Sequence, residues 1–394
     1  VCINIRLKVP DLSIKYILLV LAAAAVLAGL NPLQADAAPH INSKYYCLVE
    51  AESGQPILAK NANTPRPIAS TTKIMTAILA VEYAELNESA IVSKNASITP
   101  EFTIGLRSGQ KITVGELMKV SLIKSSNDAA VVLAEHVAGD EEFFAHLMSK
   151  KAFAIGAMQT HFRNASGLPR NDSYSTAYDL TRMGCYALSK PVISKLVATK
   201  ETAFQHPGYL KPMTIRNTNG LLGSYPGVNG IKTGTADESG KCLIASAVRD
   251  GRHLIAVALK SGDRNGDCAR LFDYGFKNTA RCKVIDSKQV FKSTKINKGC
   301  QSFADIVPAH DLWLWLGEDN VDIQKRVRMN YALEAPLPAG YKVGEMDIYI
   351  EGKYLETIDL LTKTAVAREP NIFHKTIKQI FAVRKTGIKS AVKN

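Results

Sequence analysis

Three short strings in this chain carry residue types that can do chemistry together: Ser70-Thr71-Thr72-Lys73, Ser125-Ser126-Asn127 and Lys232-Thr233-Gly234. A serine hydroxyl is almost never ionised at neutral pH, so as a nucleophile it needs a base within hydrogen-bond reach. Lys73 can be that base, because on a helix residue i+3 lies one turn away on the same face. A lysine accepts a proton only when it is neutral, so its pKa must fall through burial and through a second nearby cation. Lys232 is the candidate for that cation. The hydroxyl and carboxamide of the second string can relay a proton and hold a peptide group. Lys232 and Thr233 can bind a carboxylate.

The elements that must position these side chains are also legible. Behind Lys73 run Ile74, Met75, Ala77, Ile78, Leu79 and Ala80, the composition of a buried helix. Ser125 and Ser126 precede a second apolar run, Ala129 to Ala134, which places them at a helix start. The third string ends an expected strand from Gly227 to Lys232. Two further apolar runs, Cys242 to Val248 and His253 to Leu259, flank Arg249-Asp250-Gly251, a hairpin signature.

Alone, each string is common and more often marks a helix cap or a solvated face. Ser121 and Ser390 each have a lysine at i+3, and Lys385-Thr386-Gly387 repeats the third string. Order, spacing and context set Ser70, Ser125 and Lys232 apart, and the combination is the motif set of penicillin-binding proteins and class A β-lactamases.

At this level the chain resembles the low-molecular-mass penicillin-binding proteins, the serine-type D-alanyl-D-alanine carboxypeptidases. The resemblance extends to Asn164-Ala165-Ser166-Gly167-Leu168, Tyr174 to Leu180, Gly230 to Gly234 and Leu271 to Phe276. It implies that Ser70 is the acylated nucleophile, Lys73 the base and Ser125 the proton relay. Asn127 would clamp the substrate or Lys73. Lys232 and Thr233, with Gly234 and Thr235 beside them, would bind the substrate and its terminal carboxylate. The backbone N–H groups of Ser70 and Thr235 would form the oxyanion hole. Some family members carry a histidine where this chain has Thr235, and Arg264 is the nearest arginine that could assist with the carboxylate. The implied substrates are peptidoglycan stem peptides, with β-lactams as covalent inhibitors.

A class A β-lactamase would share the three motifs but needs a glutamate-activated water to release the acyl enzyme. No glutamate occurs between Glu142 and Glu201, so the chain is expected to be trapped by penicillin. A D,D-endopeptidase of the same family would use the same residues. A non-catalytic β-lactam sensor would need a transmembrane signalling region, and none is visible after the leader.

The chain has 394 residues, enough for two domains. The expected fold is an α/β (α+β) transpeptidase-like domain over 38–280, a small all-β sandwich-like domain over 281–367 and a basic amphipathic helix over 368–394. Residues 1–37 read as a cleaved secretory signal: Arg6, Lys8 and Lys15 precede an uncharged run from Tyr16 to Leu30, and Ala35-Asp36-Ala37 supplies the cleavage site. In the second region Val284, Val290, Phe291, Ile306, Leu312, Leu314, Ile348 and Ile350 form short apolar runs, punctuated by Pro338-Ala339-Gly340 and Glu351-Gly352-Lys353. The resemblance implies that this region lifts the peptidase off the membrane.

From Asn371 onward, Lys375, Lys378, Arg384, Lys385, Lys389 and Lys393 face no acidic residue, and Phe373, Ile377, Ile380, Phe381 and Ile388 recur at helical spacing. Such a segment lies in a membrane interface. The net charge of +13 therefore points to an anionic envelope surface, since no nucleic-acid motif appears. The protein is expected at the extracytoplasmic face of the bacterial cytoplasmic membrane. Beyond Cys2, six cysteines are scattered without C-x-x-C or zinc-type histidine spacing, so no metal or cofactor is expected. Export permits disulfides, but spacing names no pair.

Overall fold

The computed structural model describes residues 39–317, 321–330 and 332–370. The expected leader and the expected helix beyond residue 370 lie outside these. Residues 368–370 are described and are not helical, since Arg368 bridges to Gly299; any helix in that segment therefore begins after them. No helix among the described residues is long and apolar enough to cross a membrane.

A five-stranded antiparallel sheet organises the first region. Its strands are β1 (Tyr45–Glu50), β2 (Pro56–Lys60), β3 (Val228–Ala236), β4 (Gly240–Arg249) and β5 (Arg252–Ser261), in the order β2-β1-β5-β4-β3. The expected hairpin is present: Arg249 pairs with Arg252, and Asp250 and Gly251 both have positive φ, 48° and 76°. Two successive positive-φ residues suit the right-handed twist of the flanking strands.

Helix α1 (Lys73–Tyr83) is buried on all sides from Lys73 to Ala80. It shares the main apolar core with α2 (Asn127–Ala138), α3 (Glu141–Ala154) and α4 (Ala177–Leu188), of which α4 packs directly on one face of the sheet. Helix α5 (Arg264–Lys277) covers the other face, where Leu271 and Phe272 pack on Leu48, Leu243 and Leu254. Side-chain caps start three of these helices: Asp140 accepts from Phe143 N, Thr176 from Asp179 N and Asp263 from Gly266 N.

The second region is all β, as expected. Strands β6 (Ala280–Ile285) and β9 (Leu312–Leu316) pair with each other. Strands β7 (Lys292–Lys295), β8 (Phe303–Pro308), β10 (Ile323–Met329), β11 (Lys342–Ile350) and β12 (Lys353–Thr362) form a sheet in the order β7-β8-β12-β11-β10. Ile306, Leu312, Leu314, Ile348 and Ile350 are core residues, and Glu351-Gly352 makes the β11–β12 turn with two positive φ values. Val290 and Phe291 differ from expectation. They lie between β6 and β7 and are exposed, because an apolar pair in a connection has no sheet face to alternate onto.

The two regions meet through a reciprocal pair of hydrogen bonds. Gln55 Nε2 donates to Trp315 O at 2.7 Å and Trp315 N donates to Gln55 Oε1 at 2.9 Å. The Arg252 guanidinium stacks 3.6 Å from the Trp315 ring. The six described cysteines are all free thiols.

Candidate active site

Ser70 does not lie on α1 itself. It sits in a single 3-10 turn, Ala69–Thr72, that runs directly into α1, and Ala69 before it has a φ of 46°. Lys73, the first residue of α1, is fully buried, and its Nζ lies 2.9 Å from Ser70 Oγ. Nζ also donates to Asn127 Oδ1 and to the Ser166 carbonyl, both at 2.6 Å. A neutral lysine has two N–H bonds and one lone pair. The two carbonyl-type acceptors take the two N–H bonds, which leaves the lone pair for the Ser70 hydroxyl. Burial lowers the Lys73 pKa well below its ordinary value, the Lys232 charge lowers it further, and Asp128 opposes them. Such an amine can take the Ser70 proton.

Ser125 ends a π-helical turn, Val120–Lys124, and stands at φ 70°. Left-handed backbone costs a non-glycine residue on the order of 1 kcal/mol and is found at functional sites. Here it accompanies one contact: Lys232 Nζ donates to Ser125 Oγ at 2.8 Å, and also to Thr233 O at 3.0 Å. Lys232 is buried, and desolvation followed by the nearby Arg264 charge lowers its pKa to about 7. Ser126 stands at the start of α2, as the sequence suggested, but its hydroxyl donates to Asp128 Oδ1 in place of capping the helix; Asp128 also accepts from the N–H groups of Ile104, Gly105 and Leu106. Asn127 uses both ends of its carboxamide, for Nδ2 donates to Glu101 O at 3.1 Å while Oδ1 accepts from Lys73. Of the two roles open to Asn127, its side-chain contact is with the lysine.

The third string approaches Ser70 across strand β3. A Cβ on Gly234 would come within 2.8 Å of Ile68 O and 3.1 Å of Ser70 N, so only glycine lets β3 lie this close to the nucleophile turn. Thr233 Oγ1 shares a 2.6 Å hydrogen bond with Thr218 Oγ1. Arg264 donates Nη1 to Gly234 O and to Thr235 Oγ1, both at 2.9 Å, so α5 holds the end of β3. Ser70, Asn127 and Thr235 open onto one cleft of about 530 Å³, whose other walls include Glu101, Phe102, Leu168, Pro169, Asp237 and Glu238.

Every site residue named from sequence is thus brought to one place. Two participants were missed: Ser166, which acts through a backbone carbonyl, and Thr218. Ser166 does lie in a string that resembles the family, but a carbonyl leaves no mark on residue type. Glu141, just outside the glutamate-free interval, bonds Ala165 N and does not line the cleft. Among the described residues no group of His, Cys, Asp and Glu could hold a metal ion.

With this geometry in place, comparison with known proteins is informative. A family model described as D-alanyl-D-alanine carboxypeptidase matches residues 33–262, and one described as penicillin-binding protein 5, C-terminal domain, matches residues 281–368. The D-alanyl-D-alanine carboxypeptidase DacF of Bacillus subtilis strain 168 is 32% identical over 323 residues, covering 79% of this chain and 83% of that protein. A crystal structure of the D-alanyl-D-alanine carboxypeptidase DacD from Francisella tularensis superposes with a TM-score of 0.67 over 88% of this chain and 98% of that one, at 22% identity, and so speaks for the fold. The D-alanyl-D-alanine carboxypeptidase of Mycobacterium tuberculosis H37Rv, 29% identical, superposes with a TM-score of 0.58 over 63% of this chain and 96% of that one. The first of the family models alone spans more than half of the sequence, so this chain belongs to the D-alanyl-D-alanine carboxypeptidase family.

Proposed function

We propose that the protein is a serine-type D-alanyl-D-alanine carboxypeptidase that removes the terminal D-alanine from peptidoglycan stem peptides. The observation that carries the reading is the Lys73 environment: a buried amine with both N–H bonds engaged and its lone pair left for Ser70. Lys73 Nζ takes the proton of Ser70, and Oγ attacks the carbonyl carbon of the penultimate D-alanine. The N–H groups of Ser70 and Thr235 hold the oxyanion. Ser125 relays the proton that Lys73 took from Ser70 to the leaving amine, the C–N bond breaks and D-alanine departs, which returns Lys73 to its neutral form. Water then hydrolyses the Ser70 ester and releases the shortened peptide. Lys232 and Thr233 bind the terminal carboxylate, with Arg264 holding the end of the strand that presents them. A β-lactam forms the same ester, and since the chain has no glutamate between Glu142 and Glu201 to activate a water as in the class A enzymes, the adduct persists.

The finer parts of the reading concern place. The protein acts outside the cytoplasmic membrane after loss of residues 1–37, and the basic apolar-striped segment from Asn371 rests on the anionic membrane surface, with the all-β region 281–367 as a spacer. Electrostatic attraction of about 1 kcal/mol per basic residue near such a surface supports this, and so does the periodic stripe. Release of D-alanine from a synthetic pentapeptide, compared with cleavage of a cross-linked dimer, tests the activity. Preferred cleavage of the dimer would make the protein an endopeptidase. A peptide of residues 371–394 that stays unstructured by circular dichroism with anionic vesicles at low salt would remove the membrane reading.

A further inference from the structure

The Asn164–Leu168 loop, which delivers the Ser166 carbonyl to Lys73, has no helix or strand of its own. Internally, Asn164 Oδ1 accepts from Gly167 N at 2.7 Å and its Nδ2 donates to Leu168 O at 2.8 Å. Gly167 presses on the nucleophile turn, where a Cβ would fall 2.1 Å from Ala69 O. Thr76, one turn beyond Lys73, donates Oγ1 to Ala165 O at 2.6 Å. The remaining hold comes from a different element. Glu141, in the first turn of α3, accepts from Ala165 N through Oε1 at 3.0 Å.

The Ala165 residue is therefore gripped at both its amide and its carbonyl, and the next carbonyl along the chain is the one on Lys73. Glu141 is half-buried beside a cavity of about 580 Å³ that it shares with Asn164 and Arg170. Burial raises its pKa, the Ala165 N–H and Arg170 pull it down, and Glu135 and Asp140 push it up. Its position at a helix N-terminus favours the charged form.

We propose that Glu141 is a positioning residue for acylation: by fixing the Ala165 amide it sets the direction of the Ser166 carbonyl, and through it the direction of the Lys73 lone pair. The inference rests on the reading of Ser70 and Lys73 as nucleophile and base. Glu141 itself touches neither the cleft nor Ser70, so its loss slows the chemical step and leaves binding alone. Misplacement of a reacting group by about 1 Å costs on the order of 100-fold in rate.

Stopped-flow acylation of the full chain by a fluorescent penicillin separates the initial binding constant from the acylation rate. Glu141→Gln keeps an oxygen acceptor for Ala165 N and should stay within about threefold of wild type. Glu141→Leu and Glu141→Ser cannot supply that acceptor and should lose about 10- to 100-fold in acylation rate at an unchanged binding constant. Thermal unfolding of each variant shows that it is folded; should Glu141→Leu not fold, Glu141→Ser and Thr76→Val carry the test, the latter losing rate in the same way. Wild-type acylation rates in the Leu and Ser variants, a loss confined to the binding constant, or a Gln variant as slow as the Leu variant would each overturn the proposal. A Ser70→Ala control keeps the readings apart, since an adduct persisting there defeats the nucleophile assignment and not the role of Glu141.

Discussion

The Ser166 carbonyl accepts from Lys73 Nζ at 2.6 Å across 93 residues of sequence. With Asn127 Oδ1 it accounts for both N–H bonds of a neutral amine. Without these two acceptors the buried Nζ could turn an N–H toward Ser70 and would no longer serve as its base.

A single β-lactam adduct is expected, on Ser70. Intact-mass measurement after penicillin treatment should show one addition that disappears in Ser70→Ala. Ser121 also has a lysine at i+3, but it is buried, and no hydrogen-bond partner supports its hydroxyl.

Lys73 and Lys232 should respond differently to the same substitution. Guanidinium remains protonated and cannot act as a base, so Lys73→Arg should cut acylation by at least about 1,000-fold, within the range for losing general-base assistance. Lys232→Arg retains the charge and should keep a measurable part of the activity. Equal acylation by Lys73→Arg and wild type would exclude the lysine base.

The two lowered pKa values give the pH dependence of kcat/KM a definite sign. Lys73, held well below its ordinary value, becomes more fully neutral as pH rises, which favours acylation. Lys232 loses its proton as pH rises through about 7 in the free enzyme, which disfavours capture of a carboxylate. The profile for a pentapeptide should therefore fall on its alkaline side from about pH 7, and Lys232→Arg should move that limb upward. An alkaline limb unmoved in the variant would assign it to another group.

Gly234→Ala places a methyl group within 3.1 Å of the Ser70 and Thr71 amides and 2.8 Å from Ile68 O. The atoms met are backbone, so either β3 or the nucleophile turn must shift. Acylation should fall about 100-fold or more, measured with the same fluorescent penicillin.

Gln55→Ala removes both hydrogen bonds to the Trp315 backbone. At about 1 kcal/mol net for each bond, stability should drop by about 2 kcal/mol in urea denaturation. D-alanine release should stay near wild type, because the contact lies outside the cleft. A loss of activity without loss of stability would place Gln55 in the site.

How much of this was legible in the chain depends on how local each feature is. The helix start at Ser126, Asp250-Gly251 as the hairpin turn and Glu351-Gly352 as the turn of the second sheet were all readable, because helix starts and two-residue turns are decided by a few adjacent residues. The identities of Ser70, Lys73, Ser125 and Lys232 were readable because nucleophile, base, relay and cation each demand a residue type. Val290 and Phe291 misled because hydrophobicity alone does not say whether a residue falls inside a strand or between two.

Tertiary structure decided the rest. The 3-10 turn under Ser70 packs against Gly167 and the left-handed Ser125 accepts from Lys232, residues 97 and 107 positions away. Ser166 and Thr218 contribute a carbonyl and a hydroxyl whose value lies wholly in where the chain returns to. The fall of the Lys73 pKa was expected from sequence as a requirement of the chemistry, and that of Lys232 was not; what produces both is complete burial of the two amines. That is a property of packed volume and not of neighbouring residues, and so it is absent from any local reading of the chain.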